Sequence, residues 1–342
     1  MATTDEQLAE FGEDVVWHEH GQPKSGNDRA VQQLANTAIG LMRAASKGST
    51  KERAQAVREH VTQFVKDHPQ VMVKITGSSS DMKGLMRSAE YISRSGKYKK
   101  KGEDELELEN EAGDIFRGVQ GREMLRREWT MGGPAIPEIA SAAAVIDGTD
   151  PKKAPRQVLK IIYSMPSVDR EAVTAAAKAA IKETFAKHQW VVAHHNDTAN
   201  QHTHVIVKMV DLDGKRMNPR KADLEVWRKT FAKHLNLRGV EATASRRRVR
   251  LKRSKGESMA VREMRKRDIV PEREKTAQPQ AAAVQRAQEN EARMLNAYTG
   301  IAQALHSSAA QSDRDLGQAL QSTLQKRGFE LKVAGQNLGP KV

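Results

Sequence analysis

The chain has 342 residues, with 57 Lys and Arg against 43 Asp and Glu, a formal charge of +14 and a pI near 9.8. It contains no cysteine, which excludes a disulfide framework and a thiolate metal centre, and no apolar run approaches the ~18 residues that a membrane span needs. The positive balance favours a polyanionic partner, most simply nucleic acid, although 4% aromatic residues is little for single-strand binding by base stacking alone. The first residues, MATTDEQLAEFGED, are acidic and lack an apolar signal core, so a cytoplasmic protein is expected.

Residues 1–69 read as a helical N-terminal extension. Val31 to Ala45 and Thr50 to Lys66 both carry apolar residues at helical spacing, and neither carries a motif with chemistry in it. A domain is expected over 70–250. It begins with a short strand from Val71 to Thr76, stopped by Gly77-Ser78-Ser79-Ser80. Ser80 then caps a helix over Asp81 to Ile92, with Met82, Leu85, Met86, Ala89 and Ile92 on its buried stripe. At 100° per residue Tyr91 falls on the opposite face, beside Arg87. A basic loop follows, including Arg94, Lys97 and Tyr98; from this helix alone Tyr91 is an ordinary surface tyrosine.

Residues 103–117 turn acidic and read as a small exposed hairpin with a solvated charged face. Gln120 to Met131 forms a helix with Met124, Leu125 and Trp129 at packing positions. Val158 to Met165 is a buried strand closed by Pro166, and a helix runs from Ser167-Val168-Asp169 to about His188.

The stretch with the most chemistry is Gln189 to Val210, QWVVAHHNDTANQHTHVIVKMV. Two apolar runs flank a polar loop at 196–201, which suits a hairpin. Alternation puts His202 and His204 on one face, about 7 Å apart, and closure of the hairpin brings His195 beside His202. Asp197 lies near the rim, and His194 faces away. Three neutral imidazoles suit a divalent first-row metal with positions open for substrate; the competing reading is a histidine-rich loop with local hydrogen bonds only. The helical His-Glu-x-x-His pattern of zinc proteases is absent.

A turn at Asp211 to Gly214 and a helix over Ala222 to Leu235 complete an α+β domain, an antiparallel sheet with helices packed on it. Arg246, Arg247, Arg248 and Arg250 belong to the densest basic run, able to hold phosphates or to serve as a linker. A basic linker and a long, weakly pinned helix are expected over 251–312, and a small strand-and-helix unit over 313–342.

The pattern His195-x-Asp197-x4-His202-x-His204 resembles the third motif of conjugative relaxases, the HUH-type nickases that mobilise plasmids. Glu90-Tyr91-Ile92-Ser93-Arg94-Ser95-Gly96-Lys97 and Ala242-Thr243-Ala244-Ser245-Arg246 extend the resemblance towards the branch containing the T-DNA border nickase, over roughly residues 71–250. The N-terminal extension is not part of that pattern, and its serine-bearing motif is matched only vaguely, by Ser164 and Ser167.

The resemblance implies an HUH relaxase-like fold and a metal-assisted transesterase that nicks one strand at an origin of transfer. It implies a metal triad at His195, His202 and His204, with Mg²⁺ or Mn²⁺ as the usual ion, and Tyr91 as nucleophile. Asp197 either orients a ligand imidazole or accepts the phenolic proton. Arg87, Arg94, Lys97, Arg246, Arg247, Arg248 and Arg250 are the candidate DNA contacts. Implied partners are single-stranded origin DNA, accessory relaxosome proteins and a type IV secretion coupling protein, with translocation alongside DNA into a recipient. The alternatives are a rolling-circle replication initiator, a transposase of the HUH type, or a non-catalytic origin-binding protein.

Overall fold

A computed structural model describes residues 2–12, 49–99, 104–131, 135–140, 154–166, 169–196, 201–245, 249–251, 259–270 and 281–329, with isolated positions between them. The helix expected over Val31 to Ala45 and the strand expected after Phe329 lie outside these residues. The chain divides into two compact units, one of them holding His68–Ala244. No described helix is long and apolar enough to cross a membrane.

The His68–Ala244 unit is α+β, built on a six-stranded antiparallel sheet. Its strands are β1 (Met72–Ser79), β2 (Leu108–Asn110), β3 (Ile115–Phe116), β4 (Val158–Ser164), β5 (Trp190–His195) and β6 (His202–Lys208), in the spatial order β1-β4-β6-β5-β2-β3. One face packs on α5 (Arg170–Thr184) and α6 (Lys221–Asn236), through Leu159, Ile161, Val192, Val205, Val207, Phe185 and Phe231. Residues one step out of phase, Val158, Val191, Ala193 and Ile206, bury against α3 (Met82–Ile92) and α4 (Gly118–Met131). Helices therefore cover both faces of β5 and β6, and these strands read as nearly continuous apolar runs because neither face meets water.

Several local expectations change. β1 runs on through Gly77 and Ser78 to Ser79, because β4 supplies a partner as far as Val158 and a bulge between Ile75 and Gly77 absorbs the irregularity. The cap of α3 is Asp81, whose carboxylate accepts from the Gly84 N–H at 2.7 Å and from the Ala140 N–H at 3.2 Å. The acidic hairpin is not a free exposed element: β2 pairs with β5, and Leu108, Asn110 and Phe116 are buried. Its carboxylates have structural partners, Glu109 pairing with Lys178 and Glu111 accepting from the Trp190 N–H. On α4, Leu125 and Trp129 are buried but Met124 is 62% exposed, since the four-residue spacing runs Gly121, Leu125, Trp129 and leaves Met124 outside it. α5 stops at Thr184, short of His188.

The second unit joins helices from both ends of the chain: α1 (Thr4–Gly12), α2 (Thr50–Val65), α7 (Met259–Arg265), α8 (Ala281–His306) and α9 (Gln311–Lys326). Leu8, Val57, Val61, Phe64, Tyr298, Ile301, Leu305, Leu320 and Leu324 form one core. The long helix is therefore well pinned in its second half, from Met294 onward, because α1, α2 and α9 pack there; Val284–Asn290 remain exposed.

Candidate active site

The functional side chains meet where the ends of β5 and β6 come under the C-terminal end of α3. β5 and β6 pair in the register His195↔His202, Ala193↔His204. Side chains of paired residues share a face, so His195, His202 and His204 project together, on the side of the sheet that carries α3. Their ring centroids stand 4.6 to 4.9 Å apart, and one nitrogen from each ring lies within 4.8 Å of those of the others. His194 points to the other face, where its Nδ1 lies 2.9 Å from Thr203 Oγ1. The loop that holds Asp197 lies outside the described residues. Its two ends are tied to the start of α5: Thr174 Oγ1 donates to Asn196 Oδ1 at 3.2 Å, and Gln201 Nε2 donates to the Arg170 carbonyl at 2.8 Å.

α3 ends above this cluster. Its last carbonyls have no partner within the helix, and Ile92 O accepts the Nε2–H of His195 at 2.7 Å. That bond fixes the tautomer and leaves Nδ1 of His195 as an acceptor. The helix is closed by Ser93 and Ser95, both buried, with their hydroxyls 2.9 Å apart. Between them Arg94 adopts a φ of 52°, an unfavourable conformation for a long side chain. The turn directs the Arg94 guanidinium back to the cluster, where Nη2 lies 3.3 Å from His195 Nδ1. Burial, then the neighbouring His195 and His202 and the Arg94 charge, push His204 down to about 3. Its imidazole is neutral at any ordinary pH, which is the form that binds a metal.

Tyr91 is 54% exposed, off the apolar stripe of α3 as its angular position requires. Its ring stands edge-on to His204, with centroids 5.9 Å apart, and edge-on to Tyr98, with centroids 5.3 Å apart. Lys97 Nζ lies 5.2 Å from the centre of the Tyr98 ring. Arg87 sits one turn before Tyr91 and is exposed. The structure thus brings Tyr91, Arg94, His195, His202 and His204 together. Arg250 belongs to the second unit, where its carbonyl accepts from Arg327 Nη1 at 2.9 Å; Arg246, Arg247 and Arg248 lie outside the described residues. Ser164 is buried, donating to the Gln201 carbonyl at 3.0 Å, so it helps hold the loop end; Ser167 is outside the described residues.

Three convergent imidazoles, one oriented by a carbonyl and one held neutral by burial, fit a divalent cation. Arg94 is the local group that such an ion has to displace or share with an anion. The contact between the Ile92 carbonyl and His195 is the part of the site that residue spacing could not reveal, since it joins positions 103 apart.

Comparison with curated proteins finds no match. Residues 130–239 match the family model described as Relaxase: MobA/VirD2-like, nuclease domain. The matched segment contains β4, β5, β6 and all three clustered histidines, and it ends before the basic run. The match covers about a third of the chain, and over that segment, which carries the histidine cluster, the protein is similar to the nuclease domains of relaxases, which nick DNA.

Proposed function

We propose that this protein cuts one strand of DNA at an origin of transfer by transesterification, with Tyr91 as the nucleophile. The observation that carries the reading is the approach of the Tyr91 ring to within 5.9 Å of His204, in a site that also holds His195, His202 and Arg94. In-line phosphoryl transfer needs the nucleophile and the charge-neutralising groups on one phosphate, and this spacing allows a phosphate to touch both.

In this reading His195, His202 and His204 hold a divalent ion, Mg²⁺ or Mn²⁺, which polarises the scissile phosphate when bound. The Tyr91 hydroxyl oxygen attacks phosphorus as its proton passes to a base. Asp197 is one candidate for that base, and orienting a histidine is its other candidate role. The bond from phosphorus to the 3′ oxygen breaks, the 3′ oxygen takes up a proton, and a 5′-phosphotyrosyl link remains. One phosphodiester bond replaces another, so the reverse attack by the 3′ hydroxyl reseals the strand. Arg94, already directed at the cluster, stabilises charge on the phosphoryl oxygens. Arg87 and Lys97 contact the flanking strand, and the basic run with Arg246, Arg247, Arg248 and Arg250 adds phosphate contacts. Accessory origin-binding proteins and a type IV secretion coupling protein are the proposed partners. The proposed setting is the cytoplasm, with transfer of the DNA-linked protein to a recipient.

The test is incubation of the full chain with a pool of labelled single-stranded oligonucleotides and Mn²⁺. A labelled adduct that survives a denaturing gel, and that maps by mass spectrometry to the peptide containing Tyr91, is the expected result. Cleavage without an adduct, or an adduct at another tyrosine, overturns the assignment.

A further inference from the structure

The sheet register arranges the α3 side of the unit into rows that cross four strands. One row reads Met72, Ser164, His202, His195; the next reads Lys74, Ile162, His204, Ala193; the third reads Gly77, Lys160, Ile206, Val191. The β6 and β5 members of the last two rows, apart from His204, are buried under α3 and α4. Apart from Ser164, which is buried, the β1 and β4 members are not covered in the same way. Met72 is 46% exposed, Lys74 is exposed, and Ile162 and Lys160 are half-buried. A strip of sheet thus lies open beside α3, running from Lys160 towards the histidine row, roughly 13 Å along β4.

The chemistry of this strip is one-sided. Neither β1 nor β4 carries an acidic residue. The exposed Arg87 on α3 faces it, close enough that its charge, after burial, lowers the pKa of Lys160. Among the described residues no carboxylate pairs with Lys74, Arg87 or Lys160, whereas Arg58 has Asp313 and Arg327 has Asp67. Two like charges brought together over an apolar floor, without a counter-charge, are a standing unfavourable interaction that an anion relieves. Gly77 leaves room above the sheet at this point: a Cβ there meets only the Lys160 chain, at 3.9 Å. Arg87 and Tyr91 are four apart on α3 and so lie along the same wall.

We propose that the open strip between β1 and α3 is a track for single-stranded DNA leading into the site, with Lys74, Lys160 and Arg87 on its phosphates and Met72 and Ile162 under its bases. The proposal rests on the nicking reading for the direction of the strand, and it adds residues on β1 and β4 that no motif singles out. The apolar side chains contact bases of any identity, so this part of the surface binds without strong sequence preference.

The experiment follows binding of a 5′-fluorescein mixed-sequence single-stranded 20-mer to the full chain by anisotropy, in EDTA, across a range of NaCl concentrations. The triple variant Lys74→Gln, Arg87→Gln, Lys160→Gln is expected to flatten the log–log salt slope by about 2, at roughly 0.7 per lost phosphate contact. Lys74→Gln alone, a change at an exposed edge-strand position, is expected to flatten it by about 0.7 and guards against misfolding of the triple variant. The comparison variant Lys215→Gln, Arg216→Gln, beyond the other end of β6, keeps the wild-type slope. An unchanged slope in folded Lys74→Gln and triple variants overturns the track. So does equal flattening in the comparison variant, which marks a diffuse charge effect. Adduct formation is scored separately: a flattened slope with no adduct from the wild-type chain retains the track and removes the nicking reading, whereas adduct with an unchanged slope does the reverse.

Discussion

The Tyr91 ring stands edge-on to the His204 imidazole, with centroids 5.9 Å apart, although 113 positions separate the two residues and they lie on a helix and a strand. Tyr98 also stands edge-on to the Tyr91 ring, with centroids 5.3 Å apart. Two tyrosines thus compete for the role of nucleophile, and of the two only Tyr91 stands edge-on to the histidine cluster. Tyr91→Phe is expected to abolish the covalent adduct and to change single-strand binding by less than about two-fold, because the phenyl ring keeps its contacts and only the hydroxyl is lost. Tyr98→Phe is expected to retain the adduct. The reverse pattern on a denaturing gel assigns the chemistry to Tyr98.

Replacing His202 by Ala is expected to remove Mn²⁺ binding and nicking together. The fold is expected to survive, because β6 is held by Val205, Ile206 and Val207, which stay buried in both cores. His194→Ala is the contrast: that ring faces Thr203 on the other side of the sheet, so Mn²⁺ affinity is expected to stay at the wild-type value. Titration calorimetry with MnCl₂ reads both, and equal loss in the two variants sinks the three-histidine assignment.

In the helical unit Arg58 donates to both carboxylate oxygens of Asp313, each at 2.9 Å, and Ser308 adds a hydroxyl at 2.8 Å. The Arg58 hydrogen bond, followed by that of Ser308, holds the Asp313 carboxyl below its ordinary value despite its burial. A carboxyl depressed in the folded state contributes stability that is present above its unfolded value, about 3.9, and is lost as pH falls through the lower folded value. Protection factors of the α9 amides, corrected for the intrinsic exchange rate at each pH, are therefore expected to fall below about pH 4. Asp313→Asn is expected to lower them already at pH 7, with the difference from wild type narrowing as the pH falls. A difference that stays constant with pH excludes this ion pair as the cause.

Gly121 opens onto the backbone of Phe116: an added Cβ meets the carbonyl carbon of Phe116 at 2.7 Å. Backbone cannot swing aside as a flexible side chain does. Gly121→Ala is expected to separate α4 from the β2–β3 hairpin and to cost about 1–3 kcal/mol, despite the better helix propensity of Ala. A melting temperature at or above the wild-type value contradicts the close approach.

The sequence by itself determined the elements whose signal is local. Two apolar runs and the polar loop between them define the β5–β6 hairpin, and strand alternation puts His202 and His204 on one face before any partner strand is known. The helical period likewise sends Tyr91 away from the stripe of Met82, Leu85, Ala89 and Ile92. What required the tertiary structure is whatever depends on which element lies above which. Pairing of β2 with β5 turned an acidic hairpin, soluble-looking by composition, into the edge of the sheet. α1, α2, α8 and α9 come from opposite ends of the chain, yet their apolar stripes bury one another, so the long helix is anchored by residues some 240 positions away, as in the His60–Tyr298 contact. At the site, the free carbonyl at the end of α3 orients His195, and sheet register carries Lys74 and Lys160 onto the face that leads to it. Hydrophobic period and turn chemistry act over a few residues, whereas register and helix placement are decided by burial of both sheet faces at once, and one residue of slip there would move every one of these side chains to the other side.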